Sequence, residues 1–143
     1  MIADLLQGVG VLLADNNLGT WDDGTTQTGT GPLIAVQDVP SDPNSIIALS
    51  GYPVQDEPLL NDSVVGIQVR FRGEPNDRQT LQGTSDAIFN LIQGIQRVTL
   101  NGVFVVLAWR QGGGWVGRDD NLRWERADLY WWRITWPSTH RPD

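Results

Sequence analysis

From Val64 to Arg72 the chain alternates, with Val65, Ile67, Val69 and Phe71 on one face and Gln68, Arg70 and Arg72 on the other. A period of two belongs to an extended strand, whose successive side chains point to opposite sides of a sheet. This segment therefore predicts a strand with one face in a core and the other facing water or a partner. Any fold for the chain has to supply a sheet with one covered side.

The covering elements are also readable. Ile2, Leu5, Leu6, Val9, Leu12 and Leu13 recur at the spacing of one helical face, opposite Asp4, Gln7 and Gly8. They predict a helix from about Ile2 to Ala14, ended by Asp15-Asn16-Asn17. Leu81, Ser85, Ile88, Ile92 and Ile95, widened by Phe89, trace a second stripe. It predicts a helix from about Asp77 to Gln93, capped by Asn76 or Asp77 and stopped near Gly94.

Further strands are expected at Leu33–Val39, closed by the Pro40–Pro43 turn, and at Ile46–Tyr52. Pro53 and Pro58 are expected to keep the stretch to Asp62 out of regular structure. Val98-Thr99-Leu100, Asn101-Gly102 and Val103-Phe104 have the form of a tight hairpin, because Asn-Gly supplies the positive φ of a type I′ turn. Val103–Arg110 is apolar on both faces and reads as a central strand. Gln111 to Gly114 and Arg118 to Asn121 read as flexible connections, and Arg123–Trp136 as the last strand, ended by Pro137. Residues 15–32 form a long polar loop rich in Gly and Thr, whose Trp21 either pins it to the body or faces a neighbour. The expected fold class is α+β: one domain over residues 1–143, with a mostly antiparallel sheet covered by two helices.

Composition narrows the chemistry. The chain has no cysteine, which excludes disulfides and thiolate chemistry, and a single histidine, His140, in a Pro-rich tail. A positioned Ser-His-Asp relay is not expected there. The longest apolar run, Val103 to Trp109, is far short of the roughly 20 residues a spanning helix needs. The N-terminal MIADLLQ carries an acid where an export signal would carry positive charge. Asp22-Asp23 and Asp119-Asp120 are the best places for a hard cation, but both stand in turn sequences where Asp is expected anyway. Glu57, Glu74 and Glu125 are the only glutamates, and Glu125 lies between Arg123 and Arg126, which suggests ion pairing over catalysis. Gly112-Gly113-Gly114 lacks the following Lys-Ser/Thr of a phosphate loop. No enzyme, metal or cofactor is expected.

The formal charge of -7 speaks against a general nucleic-acid surface. All ten basic residues are Arg, and seven Trp accompany them. Both residue types are enriched where proteins meet proteins. GC-rich codon usage is an equal account of the arginines, and most of the tryptophans could be core. The last strand sets Arg123, Arg126 and Arg133 among Trp124, Tyr130, Trp131, Trp132 and Trp136, which could also serve as a stacking platform for a ligand or nucleic acid.

Val65-Gly66-Ile67-Gln68-Val69-Arg70-Phe71-Arg72-Gly73 resembles the core strand of the phage minor capsid proteins related to siphophage tail terminators. Tyr52-Pro53-Val54, Asp86 to Ile92, and Gly117 to Arg126 continue the resemblance in order, over about three quarters of the chain. The loop from Asn16 to Gly31 departs from it. The resemblance implies a small α+β subunit, without cofactor, that forms a ring of copies of itself, a hexamer in that family. Such a ring caps the tail tube, contacts the major tail tube protein, and joins the head-tail connector or adaptor. It would be assembled from the host cytoplasm into the virion at the head-tail junction, without touching a membrane. DNA would pass through its lumen without sequence-specific binding, which an acidic ring would favour. Another neck protein, such as a head-completion protein or connector adaptor, and a monomeric binding module are the alternatives. Closing a ring of identical copies needs two different patches that fit one another. Arg70, Arg72, Arg123, Arg126, Trp21, Trp115, Trp131 and Trp132 are the interface candidates. Trp131 and Trp132, being adjacent on a strand, must point to opposite faces.

Overall fold

The computed structural model describes residues 1–22, 31–36, 39 and 41–141. Its elements run α1 (Ile2–Asp15), β1 (Thr20–Trp21), β2 (Leu33–Ala35), β3 (Ile46–Asp56), β4 (Asp62–Pro75), α2 (Arg78–Ile92), β5 (Gln96–Leu100), β6 (Val103–Arg118) and β7 (Arg123–Thr135). All seven strands join one sheet in the order β1-β2-β3-β4-β7-β6-β5. The two pairings among β1, β2 and β3 are parallel, and the four others are antiparallel. The sheet is therefore mixed, and mostly antiparallel where its strands are long.

Both predicted helices form because each has one apolar stripe and one wet side. Leu5, Leu6, Val9 and Leu13 of α1, and Leu81, Ser85, Ile88 and Ile92 of α2, are buried. Asp77 caps α2, its carboxylate accepting the Thr80 N–H at 3.0 Å. The Thr80 side chain, together with this backbone bond, holds the Asp77 carboxyl below its usual pKa range. The helical stripes meet Val65, Ile67, Val69 and Phe71 of β4 and Tyr130, Trp132 and Ile134 of β7 in a single core. Helix α1 touches both β3 and β5, which lie four places apart in the sheet order. The sheet therefore curls around its helices, with a concave face that is filled and a convex face that neither α1 nor α2 covers.

Four expectations need correcting. Pro53 lies inside β3, which continues to Asp56. It stands at a register shift against β4, where a missing N–H is tolerated. The run Gln111 to Gly114 is not a loose connection: β6 passes through it, paired to β7 from Phe104↔Thr135 to Arg118↔Trp124 with three register shifts. Strand pairing uses backbone groups, so glycines can be held in it by a neighbour alone. β6 is also not central but second from the edge, between β7 and β5. The strand expected over Leu33–Val39 is observed only over Leu33–Ala35; Gln37 and Asp38 lie outside the described residues, as do Pro40 and residues 23–30 of the 15–32 loop. The β5–β6 hairpin is as expected, with Asn101 at φ 48° and Gly102 at φ 81°.

Candidate assembly surface

The convex face is built from the residues that alternate with the core. Cross-strand register sets Tyr52 of β3 beside Gly66 of β4, Gly66 beside Trp131 of β7, and Trp131 beside Trp109 of β6, in one row. Gly66 is required here, because a Cβ at that position would run into the Tyr52 ring lying over β4. The Trp109 and Trp131 rings meet edge to face at 6.2 Å. Tyr52, Phe104 and Leu107 remain 38%, 42% and 39% exposed. The side of the sheet away from the helices is thus a partly exposed aromatic and aliphatic surface, with Gln68, Arg70 and Arg133 among its polar residues.

The sequence-derived candidates divide. Arg70 lies on the convex face, 3.5 Å from Glu125, with its Nε buried and without a hydrogen-bond partner. Trp131 shares that face and is partly exposed. Trp132 points the other way and is a fully buried core residue. Arg72 and Arg123 alternate onto the convex side but are buried beneath the 41–44 segment. Arg72 donates to the Pro43 and Asn44 carbonyls at 2.7 and 3.0 Å. Arg123 donates to the Ser41 carbonyl at 2.7 Å and the Asn44 side chain at 3.1 Å. Burial, with Arg123 close by, pushes the Arg72 pKa down. These two arginines staple a loop inside the subunit. Trp21 is half-buried against α1, where a Cβ on Gly10 would strike its ring, so it pins the start of the long loop.

The Asp119-Asp120 pair is resolved by the same turn. Asp119 accepts the backbone N–H groups of Asn121 and Arg123 at 3.0 and 2.9 Å and the Arg123 Nε at 2.9 Å. These bonds, first among them that from the Arg123 backbone, hold its carboxyl below the usual range. Its oxygens are engaged in closing the β6–β7 turn. Asp23, of the other pair, lies outside the described residues. On the concave side Asp128 is buried and accepts the Ser85 hydroxyl at 2.6 Å and Arg126 Nε at 3.0 Å. Arg126 is thereby fixed within the subunit.

At the end of the sheet that carries the β6–β7 turn stands a block of arginine and tryptophan. Trp115 and Trp124 meet edge to face at 5.9 Å. The Arg78 guanidinium lies 4.6 and 4.8 Å from their ring centres, Arg126 lies 5.2 Å from Trp115, and Arg118 lies 5.8 Å from Trp124. Arg110 covers Phe89 at 4.2 Å. Arg78, Arg110 and Arg118 have no carboxylate within ion-pair distance among the described residues. Of this block only Trp115 and Arg126 are among the interface candidates read from the sequence, with Trp124 read as part of a possible stacking platform. Arg78 comes from the start of α2, which no local pattern places beside β6 and β7.

At the opposite end of the strands, the β3–β4 turn presents Asp56, Glu57, Leu59 and Leu60, with Leu59 79% and Leu60 62% exposed. The turn is braced by its own Glu57 N–H to Asp62 carbonyl bond of 3.1 Å. It is also held by Arg141, which donates to the Glu57 carbonyl at 2.9 Å, the Ser63 hydroxyl at 3.1 Å and the Trp136 carbonyl at 2.7 Å. The Pro-rich tail is thus tied down by a residue whose role no local pattern announces.

No family model matches the chain, and no match is found among well-characterised protein sequences. Among solved structures, the chain is similar to one described as "Virion of native gene transfer agent (GTA) particle". That likeness has a TM-score of 0.57 and 12% sequence identity, and covers 71% of this chain and 78% of the other. At that identity the likeness is one of fold alone.

Proposed function

We propose that the chain is a virion structural protein of the tail-terminator type. In this reading copies of it form a ring, six as in the family it resembles, that caps the tail tube and joins it to the head connector. Its work is assembly and not turnover, and DNA passes through the acidic ring without being read. The observation that carries the proposal is the fold shared with a chain from a gene transfer agent virion, over most of both chains. The uncovered convex face supports it, since exposed aromatic and aliphatic side chains grouped on a single surface are typical of contact sites. Another neck protein, such as a connector adaptor, shares these features and is separated by which neighbour the ring binds.

The test is a mass measurement by light scattering on the purified chain, alone and with tail tubes lacking their terminal ring. A closed oligomer that binds tube ends is expected. A monomer at every concentration that joins neither tubes nor particles would overturn the proposal. A ring that binds only the connector would move the chain to the adaptor role.

A further inference from the structure

We infer that one copy of the chain docks its β3–β4 turn onto the Arg78–Trp115–Trp124–Arg118 block of the next. The inference rests on the assembly reading above and supplies the two unlike patches that reading needs. The block is an acceptor in want of acids. Two tryptophan rings hold the exposed Arg78 guanidinium by stacking, which orients the fork without using its N–H groups. Those groups are then free to take a carboxylate on two bonds. The four-residue stack also carries local positive charge in a chain whose net charge is -7.

The turn has the matching composition. Asp56 and Glu57 offer carboxylates, and Leu59 and Leu60 offer the most exposed large apolar side chains of the described residues. The bracing by Arg141 means the turn is already shaped before it meets a partner, which lowers the entropy lost on docking. The leucines would cover the Trp115 and Trp124 surfaces, and the acids would reach Arg78 and Arg118.

Within one subunit the two patches cannot meet. The turn adjoins the Asp62↔Thr135 pair, and the block adjoins Arg118↔Trp124. Eleven steps along β7 separate Trp124 from Thr135, about 35 Å at the rise of a strand. Complementary patches at opposite ends of a rigid body join copies head to tail, which gives a ring when the rotation closes.

The test uses charge reversal at one position of each patch. Arg78 is the exposed first residue of α2, where an acid is favourable, so Arg78→Glu keeps the fold. Arg78→Glu alone and Glu57→Arg alone are each expected to raise the concentration for half-assembly at least about tenfold, as like charges meet at every contact. The chain carrying both changes regains assembly, and so does an equimolar mixture of the two single variants, which misfolding could not produce. Assembly unaffected by either single change, or lost in them without recovery in the double variant and the mixture, would overturn the inference. If wild type itself never assembles, the proposed function falls with it; if wild type assembles while the variants fail these expectations, only this contact falls.

Discussion

On the concave face of the sheet Ile67, Val69, Tyr130 and Trp132 are completely removed from water. One residue along each strand, on the convex face, Gln68, Trp131 and Arg133 keep part or all of their exposure. The two faces are made by the same strands with the same alternation, so the strand pattern alone cannot account for the difference. What separates them is that both described amphipathic helices pack on one face and neither on the other. The concave face explains why the chain folds. The convex face has no such internal task, and its row of Tyr52, Trp131 and Trp109 is where a function of contact can be carried without cost to the core.

The neighbouring tryptophans give the sharpest way to break that contrast. Trp132→Ala empties a fully buried site and should cost about 3–5 kcal/mol in denaturant unfolding, whereas Trp131→Ala should cost clearly less. Equal losses would mean the convex face is as much a core as the concave one. Tyr130 tests the dryness of the concave face. Its hydroxyl is buried, and burial, with Asp128 nearby and only partly opposed by Arg110, pushes its pKa up to about 12. The folded protein therefore disfavours the phenolate more than the unfolded chain does. Stability should be fully retained below pH 10 and fall as the pH climbs toward 12, because the unfolded chain releases the proton first. Tyr130→Phe should flatten that fall in alkaline unfolding curves while changing little at neutral pH. The smallest effect belongs to the convex rim: Phe104→Ser should alter monomer stability by no more than about 0.5 kcal/mol in thermal melts. A larger loss would show that this residue packs within the subunit.

What could be read from the residues follows the same division. The helical stripes, the Asp77 cap and the β4 alternation were legible because burial imposes a period on local sequence. Arg72 was placed on the polar side of β4 correctly, yet its burial under Pro43 and Asn44 could not be read, since alternation reports a face and not what lies over it. Pro53 and the glycine run were misread for a different reason. Residue preferences describe a strand on its own, while here the pairing partner holds the backbone. The block of Arg78, Trp115 and Trp124 joins residues up to 46 positions apart in the chain and has no local signature at all.

The three consecutive glycines of β6 carry one more implication, for how the sequence can drift. Gly113 faces Asp128, and a methyl group there would overlap the carboxylate that holds Ser85 and Arg126. Gly112 and Gly114 have open space where a Cβ would stand. Descendants of this chain should therefore vary freely at the outer two positions and stay fixed at the middle one, so a run that looks uniform is one invariant site between two permissive neighbours.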